Sequence, residues 1–156
     1  MRVLEPRDAF LSDYEVLQHL SKLERQYKWD AESIAEMSAD KKKFKKFRPY
    51  NNPALQGITR DTLAYLKQSK YSISEEEEQL LPEQRPPAPL CNLNDNKFTD
   101  LVTRLNEFDL FQAEKLQIVN QMPVQIVHLY SIVEECDTRF SEEQIEQILA
   151  LVAEFI

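Results

Sequence analysis

A histidine and a cysteine lie in the stretch IVHLYSIVEECDTRF, residues 126–140, and these two residue types can together form a nucleophilic pair. His128 and Cys136 are eight positions apart. On one continuous helix that spacing places them about 12 Å apart along the axis, so they cannot touch. Glu135 and Asp137 beside the cysteine also disfavour a thiolate, because neighbouring negative charge raises a thiol pKa. The pattern therefore predicts a small buried apolar residue at Cys136 rather than a catalytic nucleophile.

Carboxylates crowd the same stretch and the residues that follow it. A calcium loop needs alternating oxygen ligands and a glycine at its sharp turn, and EECDTRFSEE has neither, so no metal site is predicted. Acids in the first turn of a helix complement the helix dipole. The sequence also lacks GxxxxGKS/T, GxGxxG, HExxH and GxSxG, so it predicts no cofactor and no catalytic residue. We expect instead an acidic docking face made by Glu134, Glu135, Asp137, Glu142 and Glu143.

A basic run, KKKFKKFR, occupies residues 41–48. Interleaved aromatic and basic side chains are typical of sites that bind single-stranded nucleic acid. The alternative is a solvated basic loop, or one that contacts an acidic protein partner. Charge runs of this kind favour the alternative over nucleic-acid contact. The possible nucleic-acid contacts are Lys41, Lys42, Lys43, Lys45, Lys46 and Arg48.

The negative charge of the chain is concentrated in its last third. The whole chain carries −8; residues 1–90 hold 15 acidic and 15 basic side chains, and residues 91–156 hold 12 acidic and 4 basic ones. Such a region binds a phosphate backbone poorly and suits a basic protein surface. Two cysteines without a CxxC pair favour a reduced, intracellular protein. The sequence has no apolar run of about 18 residues, so no membrane span is predicted.

The composition predicts an all-α fold, because one glycine in 156 residues and many Leu, Glu, Gln and Lys favour helices over turn-rich sheet. Residues 1–10 suit an extended segment or edge strand. A first helix is expected from about Asp13 to Gln26. The residues NPALQG are expected to form a turn before a second helix, which has Thr59 as its N-cap and Leu63 and Leu66 on its buried side.

Residues 71–96 read as a linker, since SEEEEQ is a like-charge run and four prolines follow it. This divides the chain into regions 1–70, 71–96 and 97–156. The last region shows four amphipathic patterns with short joints, which predict a helical bundle. The third pattern repeats apolar residues from Ile126 through Tyr130 to Cys136. The fourth opens on Ser141 with Gln144 three positions later, a capping box.

Residues 113–149 resemble the carboxyl-terminal domain of the smaller stalk subunits of RNA polymerases, in the branch of RNA polymerase III. The resemblance rests on EKLQIVNQMP, residues 114–123, and LYSIVEECDTRF, residues 129–140. It extends to residues 1–29 and 48–69, and residues 71–96 show no family motif. The family includes the smaller stalk proteins of RNA polymerase II and of archaeal RNA polymerase. The animal form of its RNA polymerase III member is also called calcitonin gene-related peptide receptor component.

The resemblance implies an HRDC-like bundle at 97–156 and an amino-terminal strand-and-helix region that associates with the larger, OB-fold-containing stalk subunit. It also implies a nuclear, non-catalytic subunit that joins the polymerase III core and docks initiation factors for transfer RNA, 5S RNA and other short transcripts. The residues expected to bind the larger stalk subunit are Val3, Leu4, Phe10, Tyr14, Leu17, Leu63 and Leu66. The alternative is a stand-alone HRDC-type nucleic-acid-binding module that uses the basic loop 41–48.

Overall fold

The computed structural model describes residues 9–30, 33, 35, 50, 52–68 and 87–156. The helices are α1 (Asp13–Tyr27), α2 (Pro53–Lys67), a 3-10 turn (Pro89–Asn92), α3 (Asp95–Leu105), α4 (Gln112–Gln121), α5 (Ile126–Ile132), α6 (Cys136–Arg139) and α7 (Glu142–Ala153). Within these ranges there is no strand, and one isolated antiparallel bridge joins Gln68 to Pro87. The all-α prediction is confirmed. The strand predicted for residues 1–10 lies almost wholly outside the described residues.

The chain forms two compact units, and the larger one comprises Met1–Tyr14 and Lys67–Ile156. In its bundle, α7 packs against α3 and α5, and α4 packs against the same two helices. The centre of the core contains completely buried aliphatic side chains, among them Leu101, Leu105, Ile118, Leu129, Ile148 and Val152. The predicted helical bundle is therefore present, and its HRDC-like arrangement stays a prediction.

The carboxyl end of the predicted linker belongs to this bundle. Leu90 and Leu93 are 3 % and 6 % exposed and lie in the same core cluster as the helices. They are three residues apart on or beside a 3-10 turn, a spacing that puts both side chains on one side. The Asn94 carboxamide then accepts a hydrogen bond from the Lys97 N–H at 2.8 Å, so α3 begins at Asp95. Residues 71–86 lie outside the described part, and the boundaries of the three predicted regions remain predictions there.

Tyr14, at the start of α1, also packs into the larger unit. Its ring stacks on Phe98 with centroids 4.7 Å apart, and its hydroxyl donates to Asp95 Oδ1 at 2.7 Å. The Asp13 N–H donates to Asn120 Oδ1 at 2.8 Å. Tyr14 is 3 % exposed, so it is buried by this chain itself, although it is one of the residues expected to bind the larger stalk subunit. The partners come from α3 and α4, which are far away in sequence.

The smaller unit, Glu15–Leu66, is built around Leu17, Leu63 and Leu66, with Val16 and Leu20 packed beside them. Helix α2 starts at Pro53 rather than Thr59, because Asn52 Oδ1 accepts from the Leu55 N–H at 3.1 Å and proline suits a first helical position. Residues 53–57 of NPALQG are therefore helix rather than turn. Thr59 is not a cap: it is 1 % exposed, on the same face as the two α2 leucines.

Candidate partner-binding surfaces

A buried carboxylate organises the joint between α5 and α6. Glu114, in the first turn of α4, is 6 % exposed. Its two oxygens accept from Arg139 Nη1 at 2.6 Å and Nη2 at 3.1 Å. They also accept the backbone N–H groups of Glu134 at 3.1 Å and of Phe111 at 2.8 Å. One side chain therefore ties together the start of α4, the loop after α5 and the last residue of α6.

This ion pair is charged in the folded protein. Burial raises the pKa of Glu114, but hydrogen bonds from Arg139 and from the Phe111 and Glu134 N–H groups outweigh burial, so the pKa lies below its ordinary value. The hydrogen bond to Glu114 likewise raises the pKa of Arg139. The Arg139 guanidinium also lies over the Phe111 ring, 4.3 Å from its centroid. The arginine is thus held between a carboxylate and an aromatic face.

The same network ends α5 early. The Glu134 N–H donates to the Glu114 carboxylate, Val133 is extended, and Glu135 adopts a left-handed conformation with φ of 48°. The continuous helix predicted through Cys136 is therefore wrong, since the interrupting acceptor lies on α4 and leaves no mark on local periodicity. Residues 137–139, which follow Glu135 and Cys136, form most of the short helix α6.

His128 and Cys136 consequently lie on different helices. Cys136 is 2 % exposed, as predicted for a small buried side chain. Burial raises the pKa of its thiol, and the neighbouring Asp137 carboxylate raises that pKa further. The arrangement thus opposes thiolate formation. Among the described residues, no group of three His, Cys, Asp or Glu side chains is placed to hold a metal ion.

The predicted acidic residues are all exposed along α6, its preceding loop and the start of α7. Helix α7 begins where predicted: the Gln144 N–H donates to Ser141 Oγ at 3.3 Å, and the Ser141 N–H donates to Gln144 Oε1 at 3.0 Å. This capping box places Glu142 and Glu143 in the first turn of the helix. The five acidic positions are therefore solvent-facing, and their role in docking stays a prediction.

The basic side chains of the bundle do not offset this acidity. Residues 91–156 contain four of them, and two already form ion pairs within the bundle: Arg139 with Glu114 and Arg104 with Glu154. The Lys115 ammonium donates to Asn106 Oδ1 at 2.9 Å. The bundle thus presents a net negative surface, which attracts positively charged partners.

The residues expected to bind the larger stalk subunit divide into three groups. Phe10 is 83 % exposed, so its ring is available to another chain. Tyr14 is buried in the larger unit, and the three leucines form the core of the smaller one. Val3 and Leu4 lie outside the described residues, as do the six basic residues of the 41–48 run.

One exposed apolar surface was missed from the sequence. Ile126 and Tyr130, predicted on the buried side of their helix, are 43 % and 44 % exposed, and Val127 is 67 % exposed. The core face of this segment is Leu129 and Val133. A signal was present, because IVHLY is apolar on more sides than one buried face requires.

Comparison with known proteins identifies the family of the chain. The family model described as RNA polymerase Rpb4 matches residues 10–156. The chain belongs to the Rpb4 family. This confirms the resemblance seen in residues 113–149. No helix among the described residues of this Rpb4-family chain is long and apolar enough to cross a membrane.

Two relatives of this Rpb4-family chain carry informative names. The chain is 48 % identical to DNA-directed RNA polymerase III subunit RPC9 of Saccharomyces cerevisiae over 161 aligned residues, which cover 98 % of each chain. It is 28 % identical to DNA-directed RNA polymerase III subunit rpc9 of Schizosaccharomyces pombe, over 96 % of this chain and 94 % of the relative. The similarity therefore extends over nearly the full length of both relatives.

Proposed function

We propose that this chain is a non-catalytic subunit of nuclear RNA polymerase III, where it forms the stalk heterodimer with the larger OB-fold subunit. In this role it supports initiation on genes for transfer RNA, 5S RNA and other short transcripts by docking initiation factors. The observation that carries the proposal is the 48 % identity to the Saccharomyces cerevisiae polymerase III subunit across 98 % of both chains. The chemistry of transcription stays with the polymerase core.

The amino-terminal region is the part proposed to meet the larger stalk subunit. Support comes from Phe10, whose ring is 83 % exposed beside the buried start of α1. Large exposed aromatic side chains are typical anchors of protein interfaces. Residues 1–8 precede it, and their apolar Val3 and Leu4 suit addition to the edge of a partner sheet.

Co-expression with the larger stalk subunit tests this assignment. We expect the double variant Val3→Asp and Leu4→Asp to reduce co-purification strongly, because two charges are placed at an apolar contact. The matched control, Ile126→Asp with Val127→Asp, introduces the same charges on exposed apolar residues of α5 and should leave co-purification intact. Unchanged co-purification of the first variant would count against the assignment.

The acidic face is proposed to dock basic initiation factors. Support comes from the exposure of its five carboxylates and from the pairing of Arg104 and Arg139 inside the bundle. Changing the five acids to Gln should reduce factor-dependent transcription in a reconstituted polymerase III system and leave the stalk heterodimer assembled. Full activity of that variant would refute docking through these residues.

A second candidate function is binding of single-stranded nucleic acid by the basic run. The observation that favours it is an aromatic cluster in the smaller unit, where Tyr27 lies 5.1 Å from Trp29 and 5.2 Å from Tyr50 between ring centroids. These rings flank, in sequence, the segment that carries the run. Trp29 is the single tryptophan, so its fluorescence reports on the cluster directly.

Titration of the full chain with oligouridylate tests this second function. Salt-sensitive quenching of Trp29 that disappears when the six basic residues of the run become Gln would support it. Absence of quenching at low salt would exclude it. A stalk role without direct nucleic-acid contact predicts no quenching.

A further inference from the structure

The outward side of α5 is apolar although the core does not require it. Ile126, Val127 and Tyr130 are 43 %, 67 % and 44 % exposed, and Val124 just before the helix is 37 % exposed. Positions 126 and 130 are four residues apart and positions 127 and 130 are three residues apart, so Tyr130 joins the three side chains into one contiguous face. Leu129 on the opposite side is already completely buried. Contiguous exposed apolar surface of this kind marks an interaction site more often than single exposed residues do.

The charge beside this face is negative. The chain contains no Lys or Arg between residues 116 and 138, and two exposed glutamates, Glu134 and Glu135, follow the α5 segment directly. The backbone of Glu134 is fixed, because its N–H donates to Glu114 and its carbonyl accepts from Arg139 Nη1 at 3.0 Å. The buried ion pair therefore holds the start of this acidic pair just after α5. An occupant must combine apolar side chains with positive charge.

We propose that this surface, formed by Val124, Ile126, Val127 and Tyr130 with Glu134 and Glu135 at its end, docks a basic amphipathic helix of a protein partner. The apolar side of such a helix covers Val127 and Tyr130, and its Lys or Arg side chains pair with the two glutamates. The inference rests on the proposed function only for the origin of the helix, which we assign to a transcription initiation factor. Apolar burial supplies most of the affinity, while the two carboxylates at the rim set orientation and salt dependence.

The test uses the full chain and a labelled synthetic helix of Leu and Lys whose leucines lie on one face. Fluorescence anisotropy should show that the peptide binds and that its affinity falls as salt is added. A peptide with the same residues in scrambled order, and a peptide with Glu in place of Lys, should each bind about tenfold more weakly or worse. The double variant Val127→Gln and Tyr130→Gln should weaken binding about tenfold, because Gln keeps helix propensity and removes the apolar contact. The double variant Glu134→Gln and Glu135→Gln should flatten the salt dependence.

Two control variants separate the surface from general stickiness. Ile58→Gln with Tyr65→Gln removes a similar apolar pair, 64 % and 61 % exposed, from α2. Asp100→Asn with Glu107→Gln removes two charges near Arg104. Both controls should bind the peptide as the wild type does. Equal weakening by the controls, or no binding by the wild type, overturns the proposal, and circular dichroism verifies that each variant is folded.

Other occupants of the surface give different results. Displacement of the peptide by the purified larger stalk subunit would overturn the proposal and assign this surface to the stalk heterodimer. Self-association of the wild type that Val127→Gln and Tyr130→Gln abolishes, measured by sedimentation, would overturn it in favour of a second copy of the chain. A chain that assembles into polymerase III but binds no peptide refutes this inference alone. A chain that binds the peptide but is absent from polymerase III refutes the proposed function alone.

Discussion

Replacing Glu114 with alanine should destabilise the bundle more than any other single loss of a charged side chain among the described residues. The substitution leaves the N–H groups of Phe111 and Glu134 without their acceptor and removes both contacts to Arg139. A hydrogen bond to a charged group contributes about 1.5–3 kcal/mol, so the loss of these partly buried bonds predicts a destabilisation of about 3 kcal/mol. This is a large part of the roughly 5–15 kcal/mol that stabilises a typical domain.

The isosteric variant Glu114→Gln refines this prediction. Its carbonyl oxygen can still accept one of the backbone N–H groups, so we expect a smaller loss of about 1–2 kcal/mol. Because the pKa of Glu114 is lowered in the folded protein, its ionisation stabilises the fold fully at pH values above the ordinary pKa of 4.5. This contribution is lost as the pH falls through the pKa of the folded state. The difference in unfolding free energy between wild type and Glu114→Gln should therefore narrow on acidification below that pH.

Urea unfolding followed by far-ultraviolet circular dichroism measures both effects. Glu154→Ala is the matched control, because it breaks the exposed ion pair with Arg104 and should cost much less than Glu114→Ala. Equal losses for the two variants would refute the reasoning that burial gives the Glu114 pair its importance. A wild-type advantage over Glu114→Gln that stays constant from neutral pH to below pH 4.5 would refute the linkage to its ionisation.

Further predictions concern caps, packing and thiols. Ser141→Ala removes the hydroxyl that caps α7 and should lower the free energy of unfolding by about 1 kcal/mol. An unchanged midpoint of denaturant unfolding would show that the capping box does not stabilise the helix. Leu129→Ala, at a completely buried position, should cost about 2–5 kcal/mol, and Val127→Ala on the exposed side of the same helix should cost far less. Gly57→Ala should stabilise α2 by about 0.5–1 kcal/mol, since a Cβ there meets nothing within 4 Å; destabilisation would contradict the helical placement. Iodoacetamide should modify exposed Cys91 before buried Cys136, as read by peptide mass spectrometry, and the reverse order would contradict their burial.

Features encoded by neighbouring residues were predictable from the sequence. Helix α1 was predicted from about Asp13 to Gln26 and spans Asp13–Tyr27, because an apolar stripe at helical spacing marks it. The capping box at Ser141 and Gln144 fixes the start of α7 within four residues of chain. The exposure of the five predicted acidic residues also followed from their local pattern. In each case the determining contacts lie within one or two helical turns.

Features set by distant residues were not predictable in the same way. Helix α5 ends early because Glu114, on α4, accepts the Glu134 N–H, and nothing near residue 133 records that acceptor. Tyr14 is buried because Phe98 and Asp95 meet it from α3. The exposed apolar side of α5 was missed for a related reason, since periodicity identifies an apolar helix but not which of two apolar sides faces the core.

Purification of the tagged full-length chain under native conditions, with quantitative mass spectrometry of the co-purifying proteins, tests the central claim most directly. Membership of RNA polymerase III predicts that the catalytic and larger stalk subunits of that enzyme are recovered in amounts equal to the chain, and that subunits specific to other nuclear polymerases are absent. Recovery of the chain alone, or with a different polymerase, would contradict the claim.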